Sequence, residues 1–277
     1  METPLPNFKA LSEYLSSREK KTLVIAGATG SEVLNFCELA QDICRFILIG
    51  ETEKFKACPL PPESYRFIAA DDSKTQSRLA VEEVAAGRGD LLMKGSVKTG
   101  DLMKAALSKE FGLGRDRLLT HILALEKPQG GFWLITDGGM VIEPALEEKC
   151  GIIDNAVEAA RGLGVDVPKI WLNFLSENAA CDAGQIDIMA RDGRWGAVEI
   201  LASRDPDYFP SDFDIAVAPG LEGGNITGKG LMYLGRLTGG LMVAGAKVPI
   251  VVTSRVDNAI TRFNSLALCL FLSGNRE

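Results

Sequence analysis

Histidine is almost missing from this chain: its 277 residues hold one, His121, in the apolar stretch "LLTHILAL". A packed, hydrogen-bonded imidazole is the simpler reading there, so no Ser-His-Asp triad can be assembled from local signals. Cysteine pairs are missing too. Cys37, Cys44, Cys58, Cys150, Cys181 and Cys269 are scattered with no C-x-x-C spacing and no neighbours that mark a nucleophile, as in reduced cytosolic thiols. No set of His, Cys, Asp and Glu has metal-ligand spacing, and no metal is expected. No apolar run reaches the roughly 18 residues of a membrane-spanning helix, and "METPLPNFKALSEYLSSREKK" lacks the apolar core of a signal peptide. A soluble cytoplasmic protein without a membrane partner is the expectation. A basic excess is also lacking: 30 Lys and Arg stand against 37 Asp and Glu, a net charge of −7. That balance disfavours nucleic acid, though it allows a local basic pocket for a small anion.

What is present is apolar residue in quantity, 46% of the chain, enough for one large or two modest α/β domains. "KKTLVIAGATGSEVLNFCELAQDICRFILIGET" reads as strand, helix and strand, with Val33, Leu34, Cys37 and Ala40 on one helix face. The pattern repeats through "YRFIAA", "SKTQSRLAVEEVAAGR", "DLLMKG" and "DLMKAALSKEFG", favouring a largely parallel sheet. From about 117 the texture changes: "RLLTHILALEKP" and "GFWLITDGG" are strand-like runs joined by "PQGG", a hairpin. The helix "PALEEKCGIIDNAVEAARGLG" and the strands "KIWLNFL", "GAVEILA" and "FDIAVAPG" follow, with a weakly patterned polar stretch from Ser176 to Arg194. In the last helix Ile260, Phe263, Ala267, Leu270 and Phe271 recur at three to four residues, predicting packing on the sheet by one face.

Several strand ends carry candidate chemistry. "GATG" follows the first strand but lacks the spacing and the acid of a dinucleotide fingerprint, so a tight strand-to-helix turn better accounts for Gly27 and Gly30. In "MKGSVKTGD", backbone donors, the Thr99 hydroxyl and the charges of Lys94 and Lys98 suit an anion; Thr99 or Asp101 merely capping the next helix is the alternative. "EGGNITGKG" is a stronger anion candidate, reading as bare N–H groups at a helix start after a buried strand. Asp137, in "TDGG", is the residue type of an Asx turn. "PIVVTSRVDN" ends a buried strand in Ser254 and Arg255, at the sheet edge where open α/β proteins bind ligands.

Taken in order, "DLLMKGSVKTGDLMKAAL", "RLLTHILALEKP", "WLITDGGMVIEP", "EGGNITGKGLMYLG" and "GAKVPIVVTSR" resemble the phosphate acetyltransferase and phosphate butyryltransferase family, the butyryl branch most. The resemblance spans roughly residues 20 to 175 and 213 to 272. It implies a two-lobed α/β fold like that of isocitrate and isopropylmalate dehydrogenases, with mostly parallel sheets and a cleft between lobes. Residues 1–116 plus 246–277 would form the first lobe and 117–245 the second, through which a homodimer or higher homo-oligomer would form. It also implies interconversion of a short or branched acyl-CoA plus phosphate with acyl phosphate plus CoA, by direct transfer and with no bound cofactor. By resemblance Ser254 and Arg255 are catalytic, one hydrogen-bonding the thiol or a phosphate oxygen, the other neutralising the oxyanion. Thr99, Lys98, Gly224, Asn225 and Lys229 would hold the phosphate or acyl end.

The chain departs from the pattern in three places. The acid expected six or seven residues after Ser254 is Ile260 or Thr261 here, leaving Asp257 as the nearest carboxylate, otherwise a helix cap. An arginine of the family is Lys104, assigned to CoA, which keeps charge but not the bidentate fork. The segment from Ser176 to Asp212 is shorter than usual. Two other readings follow from these departures: a phosphate-dependent acyltransferase using another acyl carrier or a reductase complex, and a non-catalytic binder of acyl-CoA or acyl phosphate.

Overall fold

The computed structural model describes residues 5–55, 58, 60–114, 117–172, 177–203, 205, 207–254 and 257–274, without the side chains of 177–179. The chain divides into two compact units, one of residues 8–117 with 240–277 and the other of residues 1–7 with 118–239. From the amino end run α1 (Phe8–Ser16), β1 (Lys21–Ala26), α2 (Ser31–Ala40), β2 (Cys44–Gly50), α3 (Thr52–Phe55), β3 (Tyr65–Ala69), α4 (Ser73–Ala85), β4 (Leu91–Lys94) and α5 (Thr99–Ala106). Then come β5 (Thr120–Glu126), β6 (Phe132–Thr136), α6 (Leu146–Gly162), β7 (Lys169–Leu172), α7 (Glu177–Arg191), β8 (Glu199–Ala202), β9 (Ile215–Val217) and α8 (Leu221–Lys229). A π-helical turn (Gly230–Leu234) extends α8 before β10 (Gly239–Ala244), β11 (Ile250–Val251) and α9 (Ala259–Gly274).

In the first unit the strands lie in the order β3-β2-β1-β4-β11-β10, parallel except where β10 meets β11. Its central strands, "LVIA" of β1 and "LLMK" of β4, are buried throughout, as strands covered on both faces must be. Register then fixes which loops meet. Ala26 pairs with Lys94 and Val251 with Met93, so the residues following β1, β4 and β11 emerge together at one sheet edge.

The other unit orders its strands β5-β6-β9-β7-β8. β5 and β6 are the antiparallel hairpin that "PQGG" announces, and the remaining pairs are parallel. α6 covers this sheet from Leu146, where the Glu148 carboxylate accepts the Ala145 N–H at 2.9 Å. The Ser176–Arg194 stretch, which has little periodicity, holds a helix over most of its length, α7.

"FKALSEYLS", to which the sequence reading assigned no element, is the helix α1. One reading of the sequence needs correction. α9 does not pack by one face: residues 264–272 are all buried, whereas Ile260 is 62% exposed and Phe263 half-buried. The reason is that α1 and α2 cover the sides of α9 that β11 does not, and a helix enclosed on every side loses its amphipathic stripe. Its polar groups are met locally: Ser265 Oγ donates to Thr261 O at 2.7 Å and accepts the Leu241 N–H at 2.9 Å.

Candidate active site

At the shared edge of β1, β4 and β11 the chain makes a close backbone approach that two glycines permit. Gly27, at φ +78°, and Gly95 stack so tightly that a Cβ on Gly95 would lie 2.3 Å from the Gly27 carbonyl oxygen. The Ser96 N–H donates to that carbonyl at 2.9 Å, and Gly95 N–H to Ala26 O at 2.8 Å. Ser96 Oγ consequently meets Thr29 Oγ1 at 2.9 Å. The "GATG" turn is therefore a tight strand-to-helix turn, with Gly30 at φ +92° just before α2, and one wall of a cavity as well.

That cavity, about 430 Å³, is lined by Thr29, Ser96, Lys94, Thr253, Ser254 and Arg262 together with the start of α2 around Glu32. Lys94 is 6% exposed, its Nζ 3.2 Å from Gly95 O. Arg262 is equally buried; its Nε donates to Asp257 O at 3.2 Å and Nη2 to Glu32 Oε2 at 3.2 Å. The hydroxyls of Thr29, Ser31, Ser96, Thr253 and Ser254 and two buried cations, beside one exposed carboxylate, make a surface suited to a small polyanion.

Ser254 stands half-buried three residues past the end of β11 and is held by Asp257. Asp257 Oδ2 accepts the Ser254 N–H at 2.5 Å, and the Asp257 N–H returns to Ser254 O at 3.2 Å. Asp257 is not the cap of α9; Asn258 Oδ1 takes that part, accepting the Thr261 N–H at 2.8 Å. Arg255 lies outside the described residues. Thr99 and Lys98 are exposed at the start of α5, and Lys104 is exposed in its last turn. Neither Thr99 nor Asp101 caps that helix: Asp101 Oδ2 accepts Ser73 Oγ–H at 2.7 Å, and Ser73 Oγ accepts the Lys98 N–H at 3.0 Å. α5 is thereby anchored to α4.

In the other unit Asp137 is 1% exposed. Its Oδ1 accepts the N–H groups of Gly139 (2.6 Å) and Met140 (2.8 Å), its Oδ2 that of His121 (2.9 Å). It closes an Asx-type turn and ties that turn to β5. The reading of "EGGN" as a row of bare N–H groups needs correction at Gly224. α8 already begins at Leu221, so the Gly224 N–H donates to Gly220 O at 3.1 Å within the helix. A Cβ on Gly224 would sit 2.4 Å from the Asp137 carbonyl oxygen, so the glycine is there for backbone contact. Asn225 Nδ2 donates to Gly138 O at 3.0 Å, and Lys229 is exposed at the end of α8.

Sequence reasoning passed over Thr29, Ser96, Glu32 and Arg262 and gave Lys94 a minor part. Two signals were available: a lysine directly ending the apolar "LLM", and an arginine in the otherwise apolar "AITRFNSLALCLFL". Burial pushes the Cys37 and Cys44 thiols far up, and Cys150 up as well, so none of these three is a thiolate nucleophile at neutral pH.

Comparison with known proteins finds relatives among phosphate acyltransferases. Residues 65–209 match the family model described as phosphate acetyl/butaryl transferase. The chain is 31% identical to a probable phosphate butyryltransferase of Bacillus subtilis, over 96% of this chain and 97% of that one. It is 32% identical to a phosphate acetyltransferase of Thermotoga maritima, over 90% and 94%. Among solved structures a branched-chain phosphotransacylase from Enterococcus faecalis superposes with TM-score 0.79 at 27% identity, over 91% of this chain and 98% of that one.

Proposed function

This chain belongs to the phosphate acetyl/butyryl transferase family, and we propose on that basis that it exchanges a short or branched acyl group between a coenzyme A thioester and inorganic phosphate. One observation supports this above the rest: Ser254 stands in a cavity with the buried cations Lys94 and Arg262. In the forward direction a phosphate oxygen attacks the thioester carbonyl, forming a C–O bond and a tetrahedral oxyanion. The C–S bond then breaks, the carbonyl re-forms, and the sulfur leaves as thiolate and takes the proton that the attacking hydrogen phosphate gives up. No covalent enzyme intermediate is required.

Each residue has a part that its chemistry suits. Ser254 Oγ hydrogen-bonds the thiol or a phosphate oxygen, and Arg255 stabilises the oxyanion, a role whose loss costs about 10²–10³ in rate in comparable sites. Asp257 spends a carboxylate oxygen on the Ser254 N–H, so it acts by positioning that residue. Thr99 and Lys98 add a hydroxyl and a charge for phosphate, and Lys104 a charge for CoA. Asn225 and Lys229 serve the phosphate or acyl end, with Gly224 keeping the backbone close. The protein works in the cytoplasm as a homodimer or larger homo-oligomer, and no helix among its described residues is long and apolar enough to cross a membrane.

A panel of acyl-CoA esters from acetyl to isobutyryl and butyryl, incubated with phosphate and read as free thiol, tests the reaction. Phosphate-dependent thiol release, fastest with the four-carbon esters, is expected. Release independent of phosphate, or none across the panel, would sink the proposal. Arg255→Ala turning over like wild type would remove that residue's assigned part.

A further inference from the structure

Two cations, Lys94 and Arg262, line the cavity beside Ser254. Lys94 and Arg262 are each less than a tenth exposed, whereas the Glu32 side chain that faces Arg262 is 73% exposed. A guanidinium buried in a helix whose next turns are apolar needs both its charge and its donors met. Its two side-chain bonds, Nε to Asp257 O and Nη2 to Glu32, engage two of the five N–H donors that an arginine carries. No buried side-chain nitrogen or oxygen among the described residues lacks a partner, so Nη1, which enters neither bond, is reachable by solvent. The arginine lines the cavity with donors to spare.

Glu32 is a replaceable partner. It approaches from the first turn of α2, 230 residues away in sequence, through a single contact at 3.2 Å, and a pair with so exposed a member is weak in water. A phosphate oxygen entering the cavity offers Arg262 more charge and a second acceptor, the geometry a guanidinium fork favours. We propose that Arg262 is a further substrate-binding residue, reading a phosphate group with the fork that pairs here with Glu32, while Lys94 supplies the second charge. Glu32 competes with the substrate for that fork and so sets its affinity. The proposal rests on the phosphate acyltransferase reading of the same site. The phosphate group belongs either to the transferred inorganic phosphate or to coenzyme A.

Calorimetric titration of the full chain with inorganic phosphate, CoA and 3′-dephospho-CoA tests it, comparing wild type with Glu32→Gln and Arg262→Lys. Glu32→Gln should bind about three- to five-fold tighter, the weight of one exposed ion pair. Arg262→Lys, which keeps the charge but not the fork, should bind about ten-fold weaker. A change confined to inorganic phosphate assigns the subsite to the transferred group. A change with CoA that 3′-dephospho-CoA does not share assigns it to the 3′-phosphate, and a change shared by both CoA forms assigns it to the pyrophosphate. Unaltered affinity of Glu32→Gln for all three ligands would overturn the proposal. These are binding readouts, so absence of turnover with every acyl-CoA ester would refute acyl transfer and leave the Arg262 question answerable.

Discussion

Two glycine-containing loops of this protein look alike in sequence and are put to different uses. "GATGSE" and "EGGNITG" each come shortly after a strand and are made of small and polar residues. In the first, the glycines let two loops stack so that their hydroxyls, Thr29 and Ser96, turn toward a cavity with Ser254. In the second, Gly224 lies inside a helix that has already begun, and its missing Cβ admits the backbone of Asp137. Glycine after a strand thus signals a close approach; what is approached decides whether a site or a packing contact results.

The comparison can be broken most severely at Gly224. Gly224→Ala forces a Cβ against backbone atoms that cannot rotate away, and a stability loss of about 3 kcal/mol, the upper end of ordinary overpacking, is expected in chemical denaturation. A melting curve like wild type would remove the packing explanation. Ser254→Ala should act in the opposite manner, lowering kcat by about a hundred-fold with little change in denaturation midpoint, since it deletes one exposed-side donor at a reacting centre. Loss of fold in step with loss of rate would make Ser254 structural.

Asp137→Asn keeps shape but turns an amide NH₂ toward N–H groups that a carboxylate accepts. Leaving a buried donor unmet there should cost about 2 kcal/mol. Steady-state parameters measured on the fraction still folded should be near wild type, so a large rise in the KM for phosphate would give the turn a part in binding. The mildest change is Lys229→Ala. An exposed lysine at the end of α8 should alter stability by under about 0.5 kcal/mol, and the KM for phosphate decides its role. A ten-fold rise in that KM would make Lys229 a substrate contact.

Much of the fold is legible in the chain. Short apolar runs ending in glycine and separated by helical periodicity require a mostly parallel sheet, and "PQGG" between two such runs requires a hairpin. α7 escaped because its apolar residues do not recur on one face, and α9 misled because its stripe is real in sequence while its surroundings are apolar on all sides. Ser254 was legible from its place at the end of "PIVV". Asp257 was legible as the nearest acid; its use, holding the Ser254 N–H, required coordinates.

By itself the sequence determined the alternation of strands and helices, the absence of paired cysteines and metal spacing, and the hydroxyl that follows the "PIVVT" run, because each depends on neighbours along the chain. Only the tertiary structure decided that Thr29, Lys94, Ser96, Ser254 and Arg262 face one cavity and that Gly224 does not offer its N–H to a ligand. Periodicity reports which way a side chain points relative to its own strand or helix. It carries nothing about the partner that meets it, which strand order and register bring from more than two hundred residues away, as Glu32 and Arg262 demonstrate.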